Sequence, residues 1–170
     1  MMFGDAFEEA AVALAVKKRD LFSEQYKIYE GLVGLIETHS IESIFSDSNG
    51  VTIYPEVSKS VKDVIVDSIV ELQIYNVIAS EDLVYFCISP NFEKDGYLVS
   101  LGLEYYKKGQ PNEEYICESV LEQPYQNEDG CIYEHLGGMW YLSRFTASGP
   151  IYIDEGRFSE PMPWDEGFEP

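Results

Sequence analysis

Apolar residues in the first forty positions recur at intervals of three and four. Phe22, Tyr26, Tyr29, Val33 and Ile36 form one row, and Phe7, Leu14, Leu21, Ile28 and Leu35 form a heptad row beside it. Together they predict one long amphipathic helix running to about Glu37. Asp5 followed by Glu8 is a capping-box-like start, and Gly31 with Gly34 marks a place where the helix loosens. Two short β-prone runs follow, separated by SDSNG at 46–50. That spacing predicts a hairpin in which Asn49 and Gly50 take up positive φ. A second helix is expected from a cap at Ser60 or Asp63, with Val57, Val61, Val64, Ile65, Ile69 and Leu72 along its apolar face.

From Leu83 onward the pattern turns to strand. LVYFCIS and YLVSLGLEYY are β-prone, and EYICESVLE reads as a strand or as a short helix capped by Asn112. Gly137 and Gly138 sit between two β-prone runs, 131–136 and 139–145. A turn centred on the glycine pair would set Leu136 beside Met139, His135 beside Trp140 and Tyr133 beside Leu142. A short strand, IYI at 151–153, precedes an acidic end rich in proline and aromatic residues. The order of helix, hairpin, helix and then strands predicts an α+β fold. Residues 1–155 are expected to form one domain, with about five to seven mainly antiparallel strands and both helices on one face, and 156–170 to form a C-terminal tail.

Charge changes the picture more than composition does. In 170 residues, 31 acids stand against 11 bases, giving a net charge of −20. The last sixty residues hold 13 of the acids and 2 of the bases, a net −11. Aromatics at 14% supply ample core material, so the acidity does not imply disorder. A field of this sign repels nucleic acid and anionic membranes and attracts basic proteins. Three cysteines are too few and too odd in number for a disulfide framework. They fit a reducing compartment, and the run AAVALAV at 10–16 is too short, and wrongly flanked, for a secretory signal or a membrane span. A cytoplasmic location is expected.

The chemistry-bearing residues name no reaction. Cys131 and His135 have ligand-like spacing, but no Cys-x-x-Cys accompanies them, and Cys87 or Cys117 would have to converge on the pair. The acids around Cys131 oppose a thiolate. Asp47, Asn49, Gly50 and Glu56 overlap a calcium-loop template, yet Phe45 falls on its first ligand position. Lys17, Lys18 and Arg19, like Lys107 and Lys108, read as small solvated clusters. No phosphate loop, nucleophile elbow or dinucleotide fingerprint is present in the sequence. No catalytic residue, metal or cofactor is therefore assigned.

The expected function is that of an acidic binding protein that neutralises a basic protein partner. The physiological form expected is an immunity protein or antitoxin against a nuclease-type toxin, or a DNA-mimic inhibitor. The residues assigned to partner binding are Glu128, Asp129, Asp154, Glu155, Trp164, Asp165, Glu166 and Phe168, with Trp164 and Phe168 as anchors among carboxylates. The alternative is a small enzyme or ligand-binding module whose pocket is lined by Tyr85, Tyr105, Tyr133 and Trp140.

Overall fold

The computed structural model describes residues 2–125, 128–148 and 160–169. Helix α1 spans Met2–Thr38 without a break. It begins before Asp5, which lies inside its first turns, because no residue upstream interrupts the helix. A Cβ at Gly31 or Gly34 would meet nothing within 4 Å, so both glycines sit on the open side and the helix passes through them. Its buried stripe is Ala11, Ala15, Lys18, Phe22, Tyr29, Leu32, Val33 and Ile36. A lysine therefore occupies a core position.

Strands β1 (Ser43–Asp47) and β2 (Gly50–Tyr54) form the first hairpin. Its turn residues are Ser48 and Asn49, since Asp47 pairs with Gly50. Only Gly50 takes positive φ, at 123°. Asn49 does not need it, because its N–H donates to Asp47 Oδ1 at 2.8 Å and closes the turn through a side chain. Helix α2 (Lys59–Leu72) is capped by Ser58, two residues before the expected Ser60. Its buried residues are Ile65, Ile69 and Leu72, while Val64 is exposed, so the apolar stripe is narrower than expected.

Among the described residues six further strands join the same sheet: β3 (Asn76–Ala79), β4 (Leu83–Cys87), β5 (Phe92–Lys94), β6 (Tyr97–Tyr106), β7 (Gly130–Gly137) and β8 (Trp140–Ala147). The order is β2-β1-β3-β4-β6-β8-β7, all neighbours antiparallel, with β5 pairing the start of β6 in line with β4. The fold is α+β, with two helices on an antiparallel sheet. Within 113–115 the chain makes one 3-10 turn capped by Asn112, the helical option for that segment. The short strand expected at 151–153 falls outside the described residues. Among the described residues no helix is long and apolar enough to cross a membrane.

The second hairpin departs from the expected register by one residue. Gly137 pairs with Trp140, His135 with Tyr141, Glu134 with Leu142 and Tyr133 with Ser143, with an irregularity between His135 and Gly137. The turn residues are Gly138 and Met139, and Leu136 is the extra residue of the bulge. Gly137 and Gly138 both take positive φ, 142° and 53°. The shift sends Trp140, Leu142, Arg144 and Thr146 to the helix-covered face, since a slip of one residue exchanges the two faces of a strand. There Trp140, 1% exposed, packs among Phe22, Tyr29, Phe86 and Tyr105, with ring centroids 5.1–5.8 Å apart.

Candidate functional site: an acidic cleft at the sheet edge

Among the described residues strand β7 ends the sheet, and the chain around 116–120 runs back along that edge. Cys117 N–H donates to the Tyr133 carbonyl at 2.7 Å, and Ile116 forms a parallel bridge with Tyr133. Since the Tyr133 carbonyl points outward, the alternation of an antiparallel pair turns the main-chain groups of Cys131 and His135 outward as well. Val120 N–H donates to Glu134 Oε1 at 3.0 Å and brings the fully buried Val120 into the core.

Arg144 holds the rest of the loop. Its side chain leaves β8 on the core face, is 4% exposed, and donates to the carbonyls of Val120 (3.1 Å), Gln123 (2.7 Å) and Pro124 (3.0 Å). Its guanidinium stacks on Tyr125, 4.4 Å from the ring centroid. Three carbonyls in one fork suit a guanidinium better than an ammonium. Burial lowers the Arg144 pKa, since no carboxylate among the described residues forms an ion pair with it.

Between this stapled loop and β7 lies a cleft of about 700 Å³. Glu114, Glu128 and Asp129 line it with Tyr115, Ile116 and Tyr133. Glu113, Glu118 and Glu122 are exposed on the same loop. Among the described residues none of these six carboxylates forms an ion pair. Asp129 Oδ1 accepts the N–H of Ser148 at 2.6 Å, which fixes that side of the mouth. Tyr115 is 49% exposed beside them.

The thiols in this region are not activated. Burial pushes Cys131 up to about 11, and burial followed by the nearby Glu134 raises Cys117. His135 is turned away from chemistry, with Nε2 2.9 Å from the Gly138 carbonyl and its ring against Tyr141. Asp47 is engaged in its own turn. Among the described residues no group of three or more His, Cys, Asp or Glu is placed to hold a metal ion.

The structure separates the residues expected to act together. Glu128 and Asp129 line the β7 cleft. Trp164, Asp165 and Glu166 line a different cavity, of about 460 Å³, beside Tyr75 and the first turns of α1, and the two share no lining residue. Phe168 is half-buried near that second cavity's segment. Asp154 and Glu155 fall outside the described residues. Met162, 2% exposed, packs with Tyr75 and Cys87, and Trp164 meets Tyr75 edge-on at 5.1 Å. Trp164 thus has an aromatic neighbour within its own chain. The four aromatics considered as a pocket do not converge. Trp140 and Tyr105 share the core, Tyr85 lies on the opposite face of the sheet, and Tyr133 reaches the β7 cleft.

Sequence reasoning missed Lys18 and Arg144, the two buried cations among the described residues. Lys18 is 4% exposed and donates to the carbonyls of Gln73, which caps α2, and of Ile88, while its Nζ lies 5.1 Å from the Tyr75 ring centroid. Burial lowers its pKa to about 7. The signal was present in both cases. Lys18 continues the Ala11, Ala15, Phe22 spacing, and Arg144 continues the Trp140, Leu142 alternation.

No family model, curated protein or solved structure matches the chain.

Proposed function

We propose that this protein binds a basic protein partner through the acidic cleft at β7 and so neutralises it. The observation that carries the reading is the set of six exposed carboxylates, free of ion pairs among the described residues, on the segments 113–122 and 128–129 beside β7, the first fixed by Tyr133, Glu134 and Arg144 and the second by the Asp129 bond to Ser148. Pre-ordering removes part of the conformational cost of association. Like-signed charge on a fixed surface accelerates encounter with an oppositely charged partner and rejects nucleic acid itself. A nuclease needs a cationic surface to hold phosphate, so an immunity protein or antitoxin against such a toxin is the physiological form that fits best. The carboxylates would then occupy positions that phosphates take in the toxin's substrate, which is also the logic of a DNA mimic.

The test is affinity capture from native lysate with the wild type and with a Glu113→Gln, Glu114→Gln, Glu128→Gln, Asp129→Asn variant. Basic proteins should be retained by the wild type at about 0.1 M salt, released at about 1 M, where the Debye length falls from roughly 10 Å to 3 Å, and lost from the variant. Retention of the same proteins by both, insensitive to salt, would reject the reading.

A further inference from the structure

The second cavity has a chemistry of its own. Trp164 and Tyr75 stand at 82° to one another, ring centroids 5.1 Å apart, and so form two walls of a corner. Leu14 and Ala10 of α1, with Pro90 and Met162, add apolar sides. Glu160, Asp165 and Glu166 line the mouth, and among the described residues no basic residue lines the cavity. None of the three forms an ion pair among the described residues. Asp165 Oδ2 accepts the Met162 N–H at 2.8 Å and Asp165 N–H donates to the Met162 carbonyl at 2.9 Å, so the turn that presents Trp164 is itself closed. The Tyr75 ring also has a cation near it already, the Lys18 ammonium, which does not line the cavity.

We infer that this corner is a receptor for an arginine head group: the half-buried Trp164 supplies the stacking face, the buried Tyr75 backs it, and Glu160, Asp165 and Glu166 supply the counter-charge. A guanidinium is planar and weakly hydrated, stacks on indole, and is attracted by the negative face of the ring. Carboxylates at the mouth add the long-range attraction that an aromatic corner lacks. The inference rests on the proposed binding of a basic partner and reverses the simplest role for Trp164. The indole does not insert into a partner; it is part of a pocket that the partner's arginine enters.

The experiment is a nitrogen–proton NMR titration of the full chain, following the two indole N–H signals, assigned with Trp164→Phe. The titrants are N-acetyl-arginine amide, N-acetyl-lysine amide and N-acetyl-citrulline amide, the last an uncharged isostere of arginine. The Trp164 signal should shift saturably with arginine, less with lysine and not with citrulline, while the buried Trp140 signal stays fixed. Glu160→Gln with Glu166→Gln should weaken arginine binding at least about fivefold with the melting temperature unchanged, because both side chains are exposed. An equal response to citrulline, a shift that never saturates, or undiminished binding in the double variant would overturn the inference. If partner capture depends on the β7 carboxylates while the Trp164 signal ignores arginine, only this inference fails. If arginine binds as described while capture ignores those carboxylates, only the proposed role of the cleft fails.

Discussion

Tyr85 reaches across to Gly102 on the sheet face away from the helices, so that a Cβ on Gly102 would overlap Cε2 of the tyrosine ring. The hydroxyl is tied to Ser100 Oγ at 2.5 Å, which limits how far the ring can yield. Gly102→Ala should therefore destabilise the fold by about 1–3 kcal/mol, the usual range for overpacking. In a Tyr85→Leu background the same change should cost clearly less. Denaturant unfolding of the four proteins measures the coupling, and equal costs in both backgrounds would show that the ring is not the obstacle.

Two buried groups titrate near neutrality and act in opposite directions. Burial raises the Glu104 carboxyl from the ordinary 4.5 to about 7. Between those values the folded chain keeps a proton that the unfolded chain has lost, so raising the pH favours unfolding. Lys18 is lowered from 10.5 to about 7. Between these values the unfolded chain keeps the proton that the folded chain has lost, so raising the pH favours folding. The pair should produce a local minimum of stability near pH 7. The difference curve between wild type and Glu104→Gln should slope only between about 4.5 and 7, and that for Lys18→Met only between about 7 and 10.5. Flat difference curves would contradict both assignments.

Arg144→Met should release the acidic loop. The variant leaves the carbonyls of Val120, Gln123 and Pro124 without their donor, at a cost on the order of 3 kcal/mol. Limited proteolysis should cut between residues 112 and 124 faster than in the wild type. Arg144→Lys should fall between the two, because an ammonium keeps the charge but not the planar fork. A loop equally resistant in all three would remove Arg144 from its stapling role.

Much of this architecture can be read from spacing alone, and the failures have identifiable causes. The helix stripe around Phe22, Tyr29 and Ile36 and the strand runs at Leu83 and Tyr97 carry enough periods to be unambiguous. Strand β3 is four residues long and only Gln73, Ile74 and Tyr75 separate it from the end of α2, so Val77 and Ile78 are too short a run to stand as a separate element. The one-residue error at Gly137 and Gly138 arose because either glycine can hold positive φ, and a bulge at Leu136 leaves no mark in composition. Lys18 and Arg144 fall on core positions of their elements, but a charged residue is rarely fully buried, so the spacing alone does not mark them as core. The cleft was out of reach for a further reason: the segment 116–124 is held beside β7 by partners distant in sequence, Tyr133 and Glu134 of β7 and Arg144 of β8.

Met162 and Cys87 share a buried cluster with Tyr75, and both are 2% exposed. In a Cys117→Ser, Cys131→Ser background, labelling of the single remaining thiol should be slow in the native protein. Met162→Ala should speed it at least about tenfold by lowering the cost of local opening, with little change in the denaturant midpoint. Unchanged labelling would mean that the 160–169 segment does not protect this thiol.

The way Lys18 and Arg144 are satisfied has a consequence for the solvent around the protein. Both are hydrogen-bonded by main-chain carbonyls, and neither forms an ion pair with a carboxylate among the described residues. Among the described residues only Glu8, Asp20, Asp63, Glu81 and Glu134 enter ion pairs. With 31 acids in the chain, most of the negative charge is left to be balanced by sodium and potassium gathered in a diffuse layer. A basic protein that docks displaces this layer into bulk solution, and the mixing entropy of the freed ions becomes a driving force that no contact in the interface accounts for.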